Sequence, residues 1–143
     1  MKLIRIEQNC IEVTWPYVKE FVQKPLDYTL GERDIDDIYF SLIHGQTQLW
    51  VGAKEDEGIL GITVTRINDY PQYRSLCFAL VGSVPHTIHK WLGYAVGDDS
   101  PIIEWAKEQG IKTIELGGRE GWLKYLKNYD FKKYSVKLVR ELE

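Results

Sequence analysis

Between residues 117 and 122 the chain reads Gly117-Gly118-Arg119-Glu120-Gly121-Trp122. Two consecutive glycines allow a tight backbone turn. An arginine placed there presents a planar fork of donors that can clamp a carboxylate or phosphate through two parallel hydrogen bonds. The same arginine has a structural use, an ion pair with Glu115 or Glu120 that fixes the turn. Trp122, next along, reads as a core anchor. His86 and His89 are three apart, which puts both imidazoles on one side of a helix and suggests a metal. No Asp or Cys stands at supporting spacing, so a solvated or helix-lining pair fits better and no metal is expected. His44 follows a helical stretch, where the helix dipole favours a cation. Cys10 and Cys77 lack Cys-x-x-Cys spacing and lie among apolar residues. They read as buried thiols in a reducing compartment, and so point to a cytoplasmic protein.

Composition narrows the classes. The chain has 143 residues, 44% hydrophobic and 27% charged, which suits one globular domain over 1–143 with its own core. A net charge of −3 argues against a nucleic-acid binder that relies on overall positive charge. No apolar run approaches the roughly 20 residues that span a bilayer, so no membrane association is expected. The charged N-terminal residues do not form a signal peptide.

The elements that must position these residues follow from periodicity. Residues 2–7 alternate as a short strand. Tyr17, Val18, Phe21 and Val22 give one helical face, with the helix starting near Thr14, Pro16 in its first turn and Pro25 ending it. Asp34 is the N-cap of a second helix with the stripe Ile35, Ile38, Tyr39, Leu42 and Ile43, closed by Gly45. The period then changes to two. Gln48 to Ala53 and Ile59 to Ile67 predict an antiparallel hairpin, followed by a loop over 68–72. The apolar run Arg74 to Gly82 predicts a central strand. His86 to Val96 is a helix candidate. Ser100 and Pro101 cap a helix over 102–109, and Gly110 stops it. Lys112 to Leu116 predicts a strand, 120–128 a short helix, and the alternating Tyr134 to Leu142 a closing strand. The sum is a mixed α/β domain.

That order, together with Glu104-Trp105-Ala106-Lys107-Glu108-Gln109-Gly110-Ile111-Lys112-Thr113-Ile114-Glu115-Leu116 and the stretch from Gly121 to Phe131, resembles the GNAT superfamily of acetyl-CoA-dependent N-acetyltransferases. The likeness spans the chain as an order of elements and is specific in its last third. It implies a mostly antiparallel sheet flanked by helices, with a parallel central pair formed by Arg74–Gly82 and Lys112–Leu116. It also implies acetyl transfer from acetyl-CoA to an amine on a small molecule or protein. Gly118-Arg119-Glu120-Gly121-Trp122, Gln48-Leu49-Trp50-Val51 and Thr65-Arg66-Ile67-Asn68-Asp69-Tyr70-Pro71 are similar to a subgroup common in tailed-phage genomes. This implies a phage-encoded protein in the host cytoplasm or associated with the virion.

Site residues follow from the resemblance. The pantetheine arm is expected against Leu80, Val81 and Gly82. Lys90-Trp91-Leu92-Gly93-Tyr94-Ala95 is one substitution from the family's pyrophosphate loop, so Lys90, Gly93 and Ala95 are cofactor-binding candidates. The same stretch also reads as a helix carrying Trp91 and Tyr94 into the core, and Asp98 and Asp99 behind it would repel phosphate. The family's general-acid tyrosine position falls on Leu126, between Tyr125 and Tyr129. These two and Glu115 are the catalytic candidates, with Asp69 a further carboxylate. Tyr125 and Tyr129, as i, i+4 partners, can equally pack against the sheet. A rival reading is a non-catalytic protein that binds a phage or host partner through exposed aromatics such as Trp15, Trp50 and Trp91, with Trp105 and Trp122 in the core.

Overall fold

A computed structural model of the chain describes residues 1–117 and 120–142. Its elements are β1 (Lys2–Ile6), α1 (Ile11–Leu26), α2 (Ile35–Ile43), β2 (Gln48–Lys54), β3 (Gly58–Asp69), β4 (Arg74–Ser83), α3 (Ile88–Val96), α4 (Pro101–Glu108), β5 (Thr113–Leu116) and α5 (Leu123–Leu126). Among the described residues the five strands form one sheet in the order β1-β2-β3-β4-β5. The first three pairings are antiparallel, and β4 and β5 are parallel, as the sequence predicts.

Alternation along the strands divides the core into two layers. Leu49, Val51, Ile62 and Val64 face α1 and α2, packing with Ile11, Val18, Val22, Ile38 and Leu42. Trp50, Leu76, Phe78 and Val81 face the other way, against Trp91, Leu92, Ala95 and Ile102 of α3 and α4. The capping chemistry is as expected. Asp34 and Asp37 bond each other's backbone N–H at 2.9 Å at the start of α2, and the Ile102 N–H donates to Ser100 Oγ at 3.1 Å at the start of α4.

Several expectations are corrected. Helix α1 begins at Ile11, before Thr14, because Ile11 is itself a core residue. Strand β3 runs on to Asp69, which pairs with Arg74 at 2.7 Å across the turn. Residues 131–142 carry no regular structure, so the closing strand is absent. Tyr134 and Leu138 are almost wholly exposed, and alternation alone does not hold a strand that has no neighbour to pair with. Cys10 is exposed and Cys77 half-buried.

Tyr94, read as a core residue, is half exposed, whereas Trp50, a surface candidate, and Trp91, read both as a core and as a surface residue, are each only 2% exposed. Their indole N–H groups donate to the buried hydroxyls of Thr65 and Thr63, at 3.0 and 3.1 Å, which removes the cost of burying them. The Trp91 ring lies so close to the sheet that a methyl group at Gly52 would collide with it. Trp105 and Trp122 pack, half-buried, against the same layer. No helix among the described residues is long and apolar enough to cross a membrane.

Candidate active site

The parallel pairing of β4 and β5 runs from Ser75↔Thr113 to Phe78↔Leu116 and stops there. The next residue of β4 is Ala79. On the other edge, Thr65 opposes Phe78 while Val64 opposes Leu80, so Ala79 is the extra residue of a β-bulge. A bulge bends its strand and increases the local twist. Beyond it β4 continues to Ser83 while β5 has ended, and a cavity of about 590 Å³ lies against this part of β4. Its wall is β4 from Phe78 to Ser83. Gly117 and Trp122 line one end, Val84, Pro85, His86 and Ile88 another, and Lys24, Pro25, Tyr28 and Thr29 from the end of α1 complete it. Helix α1 approaches β4 so closely that a methyl group at Gly82 would run into the Phe21 carbonyl.

A second cavity of about 260 Å³ lies beside the first and shares Thr29, Phe78, Ala79, Leu80 and Gly117 with it. Its other lining residues include Glu32 and Arg33 from the α1–α2 connection, Arg66 from β3, Cys77 from β4 and Lys137 from the C-terminal segment. The two spaces therefore meet at the bulge.

Leu80, Val81 and Gly82 line the larger cavity. Lys90, Gly93 and Ala95 belong to α3 itself. Lys90 is in the first turn. Gly93 faces Tyr129, whose hydroxyl would lie 2.6 Å from a methyl group placed there, and Ala95 is fully buried in the core. The first turn of α3 holds no acidic residue and, among the described residues, has no side-chain cap. Ile88, its first residue, lines the cavity. His86, just before the helix, has φ +64° and also lines the cavity, whereas His89 stacks on Tyr125 with ring centres 5.3 Å apart. The two histidines thus have different surroundings. Among the described residues no group of three His, Cys, Asp or Glu is placed to hold a metal. His44 Nδ1 lies 2.8 Å from the Phe40 carbonyl and closes the end of α2.

Tyr125 and Tyr129 pack beside α3 and are absent from the described lining of both cavities. Glu115 stands beside Cys77 across the parallel pair. Tyr70 donates its hydroxyl to both carboxylate oxygens at 2.9 Å, and the Asn68 amide donates at 3.4 Å. Asn68 Oδ1 in turn accepts from Arg66 Nε at 3.1 Å. Partial burial pushes the Glu115 carboxyl up, but hydrogen bonds from Ser75, Tyr70 and Asn68 and the charge of Arg66 outweigh it and hold the group below the usual carboxylate value. The hydrogen bond to Glu115 raises the Tyr70 phenol, and burial raises the Cys77 thiol. Gly118 and Arg119, the turn and clamp candidates, lie outside the described residues. Sequence reasoning missed the contributions of α1, Glu32, Arg33 and Arg66. They reach the site only through packing across the sheet, which leaves no local signal.

Neither a protein-family model nor a curated protein sequence matches the chain. Solved structures do. A predicted acetyltransferase of Clostridium acetobutylicum, solved with acetyl-CoA, is 17% identical with a TM-score of 0.68, over 99% of this chain and 96% of that one. Glucosamine-6-phosphate N-acetyltransferase from Arabidopsis thaliana is 13% identical with a TM-score of 0.68, over 99% and 98%. An aminoglycoside acetyltransferase from an uncultured soil metagenomic sample, in complex with sisomicin, is 10% identical with a TM-score of 0.66, over 99% and 96%. At these identities the likeness is one of fold, and the chain is a single α/β domain with the GNAT fold.

Proposed function

We propose that the protein is an acetyl-CoA-dependent N-acetyltransferase. The observation that carries this reading is the end of the β4–β5 pairing at Phe78, next to the bulge at Ala79, with a cavity against β4 beyond it. When bound, acetyl-CoA supplies an activated acetyl thioester for transfer to an amine.

The residues present fit that group. Past Phe78, the β5-facing edge of β4 has no strand partner among the described residues, and an extended amide chain can bond it as a further strand would. Leu80, Val81 and Gly82 would hold the pantetheine arm. The N–H groups of the first turn of α3, residues 88–90, have no intrahelical acceptor, and the helix dipole favours an anion there. They would hold the pyrophosphate, with Lys90 adding charge. On this reading the phosphate cradle is the start of α3, one turn before Gly93 and Ala95. The second cavity, meeting the first at the bulge, is the place for the acceptor amine.

Glu115 is better suited to positioning than to proton transfer. A carboxylate held below its usual value is a weak base at neutral pH, and its oxygens are engaged by Tyr70 and Asn68. The finer expectations of a phage-encoded protein, a host-cytoplasm or virion location and a phage or host partner rest on the motifs around Trp50, Tyr70 and Trp122. The aromatic surface invoked for a non-catalytic binding protein loses Trp50 and Trp91 to the core.

Thermal unfolding with acetyl-CoA tests the proposal. Ligand at a hundred times its dissociation constant stabilises by about 2.7 kcal/mol. An unchanged midpoint at millimolar acetyl-CoA would refute the proposal.

A further inference from the structure

The second cavity has a charge character that the chain as a whole lacks. The protein carries a net charge of −3. The cavity's lining nevertheless brings together Arg33, Arg66 and Lys137 against a single carboxylate, Glu32, among the described residues. These cations come from three separate places, the α1–α2 connection, β3 and the C-terminal segment, so no local run of sequence accounts for them. The ion pairs among the described residues are Arg5 with Glu7 and Arg74 with Asp69, and neither involves this cavity. Arg66 is held in place, its Nε bonded to Asn68 and its Nη2 3.8 Å from Cys77 Sγ. Arg33 and Arg66 line the same cavity as Cys77. Three cations that share one lining with a single carboxylate leave positive charge in excess, and an anion placed among them offsets it.

We propose that the second cavity admits a small amine that also carries a carboxylate or phosphate group, with the anion among Arg33, Arg66 and Lys137 and the amine towards the bulge at Ala79, where the two cavities meet. The proposal rests on the acetyl-transfer reading, because it assigns this cavity to the acceptor. A volume of about 260 Å³ suits a small metabolite or a single residue of a larger molecule. Glu115, through Asn68, is then a positioning residue for Arg66.

Paired amines that differ in the anionic group provide the test. Glucosamine 6-phosphate against glucosamine probes phosphate, and leucine against leucinamide probes carboxylate. Spermidine serves as a purely cationic amine. Each is titrated into the full chain with and without acetyl-CoA, and thiol release is followed in parallel. At least one anionic member is expected to bind about tenfold more tightly than its neutral partner. Arg33→Gln and Arg66→Gln are each expected to erase that preference while the thermal shift with acetyl-CoA persists. Arg33 lies outside the sheet, so its variant gives a result even if Arg66→Gln fails to fold. Equal affinity within both pairs, tighter binding of spermidine, or no binding of any member overturns the proposal. Loss of the acetyl-CoA shift in the parent protein is a separate result, and it overturns the transferase reading.

Discussion

Glu115 shows how one side chain ties three strands together. Its carboxylate on β5 accepts from Asn68 on β3 and from Tyr70 in the turn that follows β3, across the intervening β4. These bonds favour the ionised form, so its folded pKa lies below its unfolded one. The stabilisation is therefore present above the unfolded value, about 4.3, and lost as pH falls through the folded value. Glu115→Gln is expected to lower the urea midpoint at neutral pH and to converge on the parent in acid. Midpoints measured from about pH 7 down to about pH 3 check this, and a difference that stays constant over that range would remove the charge from the account. The sequence marked Glu115 as a chemically interesting carboxylate. It could not show its partners, which lie 45 and 47 residues away and meet it only when the strands are in register.

At the scale of elements, the bulge decides whether there is a site at all. Leu80 faces α1 and α2, while Phe78 and Val81 face α3 and α4. Deleting Ala79 would join Phe78 to Leu80 and restore strict alternation without turning any other side chain to the wrong face. The deletion variant is expected to fold and to lose its acetyl-CoA thermal shift, because a straight β4 closes the larger cavity. An undiminished shift in the folded deletion variant would show that this cavity does not bind the cofactor. Legibility follows the same physics. Asp34, Ser100 and Pro101 announced their helices, because caps are local chemistry. The strands of the sheet were legible from period and β-branching. The bulge was not, because the run from Leu76 to Val81 is apolar throughout and offers no polar residue to mark a break in period. The failure over 134–142 is the converse, alternation with no neighbouring strand to enforce it. The burial of Trp50 was not legible because it depends on Thr65, a β3 hydroxyl that faces the indole only in the folded sheet.

The whole molecule shares its fold with acetyltransferases that retain 10–17% of its sequence. What is shared at that distance is the fold, which depends on backbone register more than on particular side chains. The two cavities divide the proposed labour accordingly. Backbone groups of β4 and the α3 N-terminus serve the cofactor, and side chains from α1, β3 and the C-terminal segment shape the acceptor space. Amide hydrogen exchange of the intact chain, with and without acetyl-CoA, tests this division most directly. Binding in the larger cavity is expected to protect the amides of residues 80–83 and 86–90 while leaving β1 and β2 unchanged. Acetyl-CoA binding that leaves both segments unprotected, or no binding at all, would contradict the account.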